Sequence, residues 1–191
     1  MNIGLFFGSF NPIHVGHLII ANVMVETTDI DKVWFVISPQ NPFKKRASLL
    51  HEFDRLDMVR AAIHDNYQLE VCDVEFNMPK PSYTVDTLAY LMDKHPDKEF
   101  KLIIGEDSLT HFHKWKNYVE VLKHGLYVYP RPHAVNTDLH SHSNVKMITS
   151  PMVDISATFI RTCIRNNQSI KYLVPNEVEE LIIAKGFYRK R

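Results

Sequence analysis

Short apolar runs separated by stretches of helical period are what most restrict the fold of this chain. Ile3–Phe7, Val33–Ile37, Leu69–Val74, Phe100–Ile104, Leu126–Tyr129 and Val145–Ile148 read as strands. Between them, Val15–Val25, Leu50–His64, Tyr83–Asp93 and Asp107–Lys123 carry apolar residues at spacings of three and four, the period of an amphipathic helix. Strand and helix in alternation predict an α/β fold: a doubly wound, mostly parallel sheet covered on both faces. Right-handed crossovers then put the functional loops at the carboxyl ends of the strands. The tail departs from this alternation. Ile155–Asn166 and Asn176–Lys185 read as two successive helices, the second opened by Val174-Pro175-Asn176 and closed by Gly186, so a C-terminal helical segment follows the sheet. Pro130–Asn144, with its prolines, histidines and small polar residues, reads as a long loop.

At 191 residues the chain is expected to form one domain, 1–191. Basic and acidic side chains balance at 22 each, so no whole-molecule field points to nucleic acid or a membrane surface, and any anion binding must be local. No apolar stretch reaches the ~18 residues of a membrane span. The N-terminus runs straight into a strand-like segment without a basic leader, so a cytoplasmic location is expected. Cys72 and Cys163 lie far apart with no CxxC partner and read as core thiols in a reducing compartment. His111 and His113 are two apart and point to different faces, while His133, His140 and His142 fall in the predicted loop; all read as solvated side chains, and no metal site is expected.

Two stretches carry chemistry. In Gly8-Ser9-Phe10-Asn11-Pro12-Ile13-His14-Val15-Gly16-His17, Gly8 ends a strand and lets backbone approach a ligand, while Pro12 stiffens the turn into a helix beginning near Val15. His14 and His17 then stand at a helix N-terminus, where backbone N–H groups and imidazoles that become cationic beside an anion suit phosphate. Gly16 leaves room for a nucleotide against the helix. A capped turn with two surface histidines is the alternative. In Ile155-Ser156-Ala157-Thr158-Phe159-Ile160-Arg161, Ser156 or Thr158 can cap a helix whose first turns carry Arg161, an arrangement able to hold a second phosphate.

Together these stretches resemble the GxFxPxHxGH and ISSTxIR pair of the HxGH nucleotidyltransferase superfamily. Pro81-Ser82-Tyr83-Thr84-Val85-Asp86-Thr87-Leu88, Ile104-Gly105-Glu106-Asp107-Ser108-Leu109 through Trp115, and Tyr172-Leu173-Val174-Pro175 are similar to segments of the bacterial nicotinate-nucleotide adenylyltransferases. The resemblance spans essentially the whole chain and implies a Rossmann-like fold. It implies adenylyl transfer from ATP, with Mg²⁺, to nicotinate mononucleotide, giving nicotinate adenine dinucleotide and pyrophosphate. His14, His17 and Arg161 would then be catalytic, and Gly8, Ser9, Phe10, Gly16, Lys44, Gly105, Asp107, Ser156 and Thr158 would bind ATP. Ser82, Tyr83 and Thr84 would meet the nicotinate carboxylate and Trp115 its ring. The chain departs from the family at Asn41-Pro42-Phe43-Lys44-Lys45-Arg46, where Phe43 replaces an imidazole, and at Asn11 in place of an aspartate. Nicotinamide mononucleotide or pantetheine phosphate as acceptor, or a non-catalytic nucleotide-binding protein, are the other readings. Homo-oligomerisation is compatible with each.

Overall fold

The computed structural model describes residues 1–39, 49–132 and 134–189. Six parallel strands form one sheet in the order β3-β2-β1-β4-β5-β6: β1 (Asn2–Gly8), β2 (Lys32–Ile37), β3 (Leu69–Cys72), β4 (Glu99–Gly105), β5 (Leu126–Tyr129) and β6 (Val145–Met147). β1 pairs with β2 on one side, Phe6 opposite Phe35, and with β4 on the other, Leu5 opposite Leu102. Alternation along β1 feeds two cores. Ile3 and Leu5 face α3 (Thr84–Lys94), α4 (Glu106–Thr110) and α5 (Tyr118–Lys123) through Leu88, Leu109 and Val121. Phe6 faces α1 (Val15–Thr27), α2 (Glu52–Ile63), α6 (Ala157–Arg165) and α7 (Asn176–Lys185) through Ile20, Leu56, Ile160 and Val178. Helices on both faces and a strand order that reverses between β1 and β4 make this a doubly wound, Rossmann-like sheet, parallel throughout.

α7 and β5 take the bounds predicted for them. Gly186 closes α7 in the left-handed region (φ 63°), its N–H on the Ile183 carbonyl and that of Phe187 on Ile182. Two expectations need correction. Strand β3 stops at Cys72, and Val74–Asn77 turns into a 3₁₀ helix that buries Glu75. The single helix predicted over Asp107–Lys123 is broken into α4, a 3₁₀ turn Phe112–Lys114, and α5. Phe112, Trp115 and Tyr118 recur at a spacing of three, the 3₁₀ period, with ring centroids 5.1 and 6.1 Å from Phe112. Asn117 then takes a left-handed conformation (φ 48°), which asparagine tolerates better than most residues and which no α-helix continues through. The long loop after β5 contains a 3₁₀ turn, Asp138–Ser141.

Candidate active site

At the carboxyl ends of β1 and β4, where the strand order reverses, a cleft of about 510 Å³ opens. Ligands bind at such a place in doubly wound sheets. Its floor begins with Phe10, a buried aromatic at φ 42°, a conformation costing a non-glycine residue ~1–2 kcal/mol. The ring offsets this by packing edge-on against Phe6, Phe35 and His17, at 6.0, 5.4 and 5.1 Å. Gly8 is required for that packing: a Cβ there would stand 2.7 Å from the Phe10 ring.

His14 is the N-cap residue of α1 and stacks on His17 at 3.7 Å between ring centroids. The His14 N–H donates to His17 Nδ1 at 3.3 Å. A neutral ring that accepts at Nδ1 carries its proton on Nε2, so the backbone selects the His17 tautomer. Burial, and then the Arg131 guanidinium, lowers the His14 pKa from 6.5 to about 4. His14 is therefore neutral at pH 7 in the ligand-free protein. Its Nδ1 is buried and makes no hydrogen bond of ordinary geometry with the described residues. A Cβ at Gly16 would lie 3.1 Å from His14 Nδ1, so the space its missing side chain leaves is filled by His14.

Ser156, not Thr158, caps α6, accepting from the Phe159 N–H at 3.2 Å. Arg161 donates from Nη1 to the Asn11 carbonyl at 2.7 Å and from Nη2 to Thr158 Oγ1 at 3.1 Å. One guanidinium thus ties the C-terminal stretch to the N-terminal one, and its Nε stays buried without a protein partner. Across the cleft, Gly105 is the N-cap of α4, and Asp107 Oδ1 occupies the space a Cβ at Gly105 would need. The N-terminus of α3 has no side-chain cap; Ser82 before it is buried and donates to Glu75 Oε2 at 2.5 Å. Lys116 Nζ lies 4.8 Å over the Tyr83 ring, and Trp115 sits half-buried against Phe112.

Gly8, Ser9, Phe10, His14, His17, Ser82, Tyr83, Thr84, Gly105, Asp107, Trp115, Ser156, Thr158 and Arg161 all line this cleft. Gly16 lines a smaller hollow next to it. Lys44, with Phe43, Lys45, Arg46 and His133, falls outside the described residues. His111, His113 and His142 are exposed, but His140 is not the solvated side chain expected: its Nε2 meets Glu106 Oε1 at 3.1 Å and it is largely buried.

Four residues of the site were not singled out from the sequence. Arg131 lines the cleft with its guanidinium 5.2 Å from the Tyr129 ring. Its place directly after β5 is the signal that could have found it. Arg55 is fully buried and bonds four backbone carbonyls: Ser9 at 2.6 Å, Ser38 at 2.9 Å, Leu50 at 3.1 Å and Pro39 at 3.4 Å. Tyr188 donates to Asn11 Oδ1 at 2.9 Å, fastening the chain end beneath the loop that holds Arg161. Glu75 is buried and lines the cleft beside Ser82.

The description "Cytidylyltransferase-like" fits the family model that matches residues 5–163. A chain from Cytophaga hutchinsonii, named as a probable nicotinate-nucleotide adenylyltransferase, is 60% identical over 98% of both chains. One of the same name from Flavobacterium psychrophilum is 50% identical over 100% of both. Among solved structures, Plasmodium falciparum nicotinic acid mononucleotide adenylyltransferase complexed with NaAD matches with a TM-score of 0.83 over 98% of this chain and 97% of that one, at 20% identity, a likeness of fold. With its two phosphate-type stretches joined in one cleft and relatives of this identity along its full length, the chain belongs to the cytidylyltransferase-like family and, within it, to the nicotinate-nucleotide adenylyltransferases.

Proposed function

We propose that the protein, read as one domain over 1–191, transfers the adenylyl group of ATP to nicotinate mononucleotide in the cytoplasm. A phosphate oxygen of the mononucleotide attacks the α-phosphorus of ATP; the bond to the bridging oxygen breaks, and pyrophosphate leaves with that oxygen. The nucleophile is already anionic at neutral pH, so the site needs no serine or cysteine and no general base. Its tasks are to align two anions that repel each other and to stabilise charge on the leaving group.

The observation that carries this reading is the Arg161–Asn11 bond, which closes residues 150 positions apart into one donor-rich wall. On that wall His17 offers Nε2–H and His14 a ring that gains charge beside an anion, as donors to the transferred and departing phosphates. Ser156, Thr158 and Arg161 hold the β/γ end, and Gly105 and Asp107 face the adenosine. Opposite, the uncapped N-terminus of α3 at Ser82, Tyr83 and Thr84 suits a carboxylate better than a neutral amide, and Trp115 offers a face to the ring. Among the described residues no three His, Cys, Asp or Glu side chains gather. Mg²⁺ would enter as the companion of the triphosphate, where it would neutralise charge on the leaving pyrophosphate.

Pyrophosphate release from MgATP, with nicotinate mononucleotide, nicotinamide mononucleotide and phosphopantetheine compared side by side, tests this reading. Turnover chiefly with the first, abolished in His17→Ala, is the expected result. Preference for another acceptor moves the protein to a different branch of the superfamily, and ATP binding without turnover removes the enzyme.

A further inference from the structure

The carboxyl of Glu75 is buried at the edge of the cleft, and two hydroxyls of the turn before and into α3 converge on it. Ser82 donates to Oε2 at 2.5 Å and Thr87 to Oε1 at 2.9 Å. Thr87 also reaches the Tyr83 carbonyl at 3.3 Å, so the turn Ser82–Thr87 is fixed at both ends by one cluster. Glu75 itself lies in the 3₁₀ helix that follows β3, so the N-terminus of α3 is fastened through it to the end of a strand.

A carboxyl is a costly way to fill a core: taking it out of water costs several kcal/mol, and an apolar side chain of similar size serves packing as well or better. Burial raises the Glu75 pKa, an effect that the hydroxyls bonded to it oppose in part. What this cluster provides that an apolar one could not is direction, because each hydroxyl is held at a defined angle around the same two oxygens. The segment so held is the cleft wall whose backbone N–H groups have no side-chain cap.

We propose that Glu75 is a positioning residue for acceptor choice: through Ser82 and Thr87 it holds the N-terminus of α3 where an anionic substituent on the acceptor ring is read. This rests on the adenylyl-transfer reading above. Glutamine at position 75 keeps the shape but replaces one of the two acceptor oxygens with an NH2 donor, so one of the two hydroxyls must reverse or turn away and the α3 N-terminus loosens.

The test is steady-state kinetics of wild type, Glu75→Gln and the isosteric Thr87→Val, with nicotinate and nicotinamide mononucleotides, after thermal melts establish that each variant folds. For Glu75→Gln the KM for nicotinate mononucleotide rises about tenfold. KM for ATP, KM for the nicotinamide acceptor and kcat stay within about twofold, so the preference for the acid falls about tenfold. Thr87→Val moves the same way by less. Equal losses with both acceptors, or kcat and both KM values moving together, make Glu75 a core residue and overturn the proposal. Wild type that turns over neither mononucleotide instead overturns the reading on which it rests.

Discussion

Acidification should weaken this protein through His14 by an amount the structure fixes. In the unfolded chain the imidazole takes its proton near 6.5; in the folded protein, burial and the Arg131 guanidinium delay that to about 4. Between these values the unfolded state binds more protons. Stability due to His14 is therefore full above pH 6.5, falls as pH drops through the interval, and loses nothing further below about 4. At ~1.36 kcal/mol per pH unit the interval amounts to about 3 kcal/mol. Glu75 works in the opposite sense, since a raised carboxyl pKa adds stability as pH falls, and Asp29 and Glu52, both lowered, add losses in the acid range. These contributions are common to wild type and to His14→Gln, which cannot titrate. Urea unfolding of both proteins at pH 7 and pH 4 isolates the His14 part as a difference of differences. Wild type is expected to lose about 3 kcal/mol more than the variant. Equal losses would mean that His14 is solvated in the folded protein and would refute the account of a neutral, stacked pair. The same burial bears on the proposed function, because a phosphate beside the ring would favour its charged form and let His14 acquire its positive charge on binding.

Two further substitutions test how the site is braced. Gly16→Ala places a methyl 3.1 Å from His14 Nδ1 and 3.2 Å from Cε1, so the ring must shift against the His17 stack. Activity should fall about tenfold to a hundredfold while stability changes by less than about 1 kcal/mol, alanine being the better helix former; unaltered kcat/KM in the pyrophosphate assay would contradict the crowding. Arg55→Met removes the partner of four carbonyls and should cost roughly 3 kcal/mol in urea unfolding, with Arg55→Lys recovering only part because it lacks the planar fork. A loss under about 1 kcal/mol for the methionine variant would show that water replaces the guanidinium.

What the sequence made legible was whatever depends on local backbone chemistry. Gly186 stops α7 because glycine accepts a left-handed residue, and Ser156 caps α6 because its hydroxyl reaches the Phe159 N–H. Tertiary demands were hidden. Arg55 reads as one more charge among Glu52, Asp54 and Asp57, yet it lies four residues before Val59 and eight before Ile63, on the buried stripe of α2. A single cation on an apolar stripe was the available signal. Glu75 beside Asp73 looks like a solvated acid, and nothing local announces that the chain turns there into a 3₁₀ helix. At Asp107–Lys123 the helical period continues through a break set by Asn117, where a spacing of three passes for helix until the backbone shows otherwise.

The balance of 22 basic and 22 acidic side chains excluded a whole-molecule field and left anion binding to a local arrangement. In the structure the charged side chains divide by residue type. Among the described residues every ion pair is made by a lysine or by His140, and these pairs lie mostly on the surface. Arginine takes no part in them. Arg55 spends its donors on carbonyls, and Arg161 divides its own between a carbonyl and a hydroxyl. Arg131 meets the Tyr129 hydroxyl at 3.5 Å, and the Nε atoms of Arg131 and Arg161 are buried without protein partners. Among the described residues no carboxylate forms an ion pair with these guanidiniums, and burying a guanidinium is costly unless its donors are met. Lysine pairs settle the charge of the surface, while Arg131 and Arg161 line the cleft as cations outside any such pair, the arrangement on which the proposed binding of a phosphate rests.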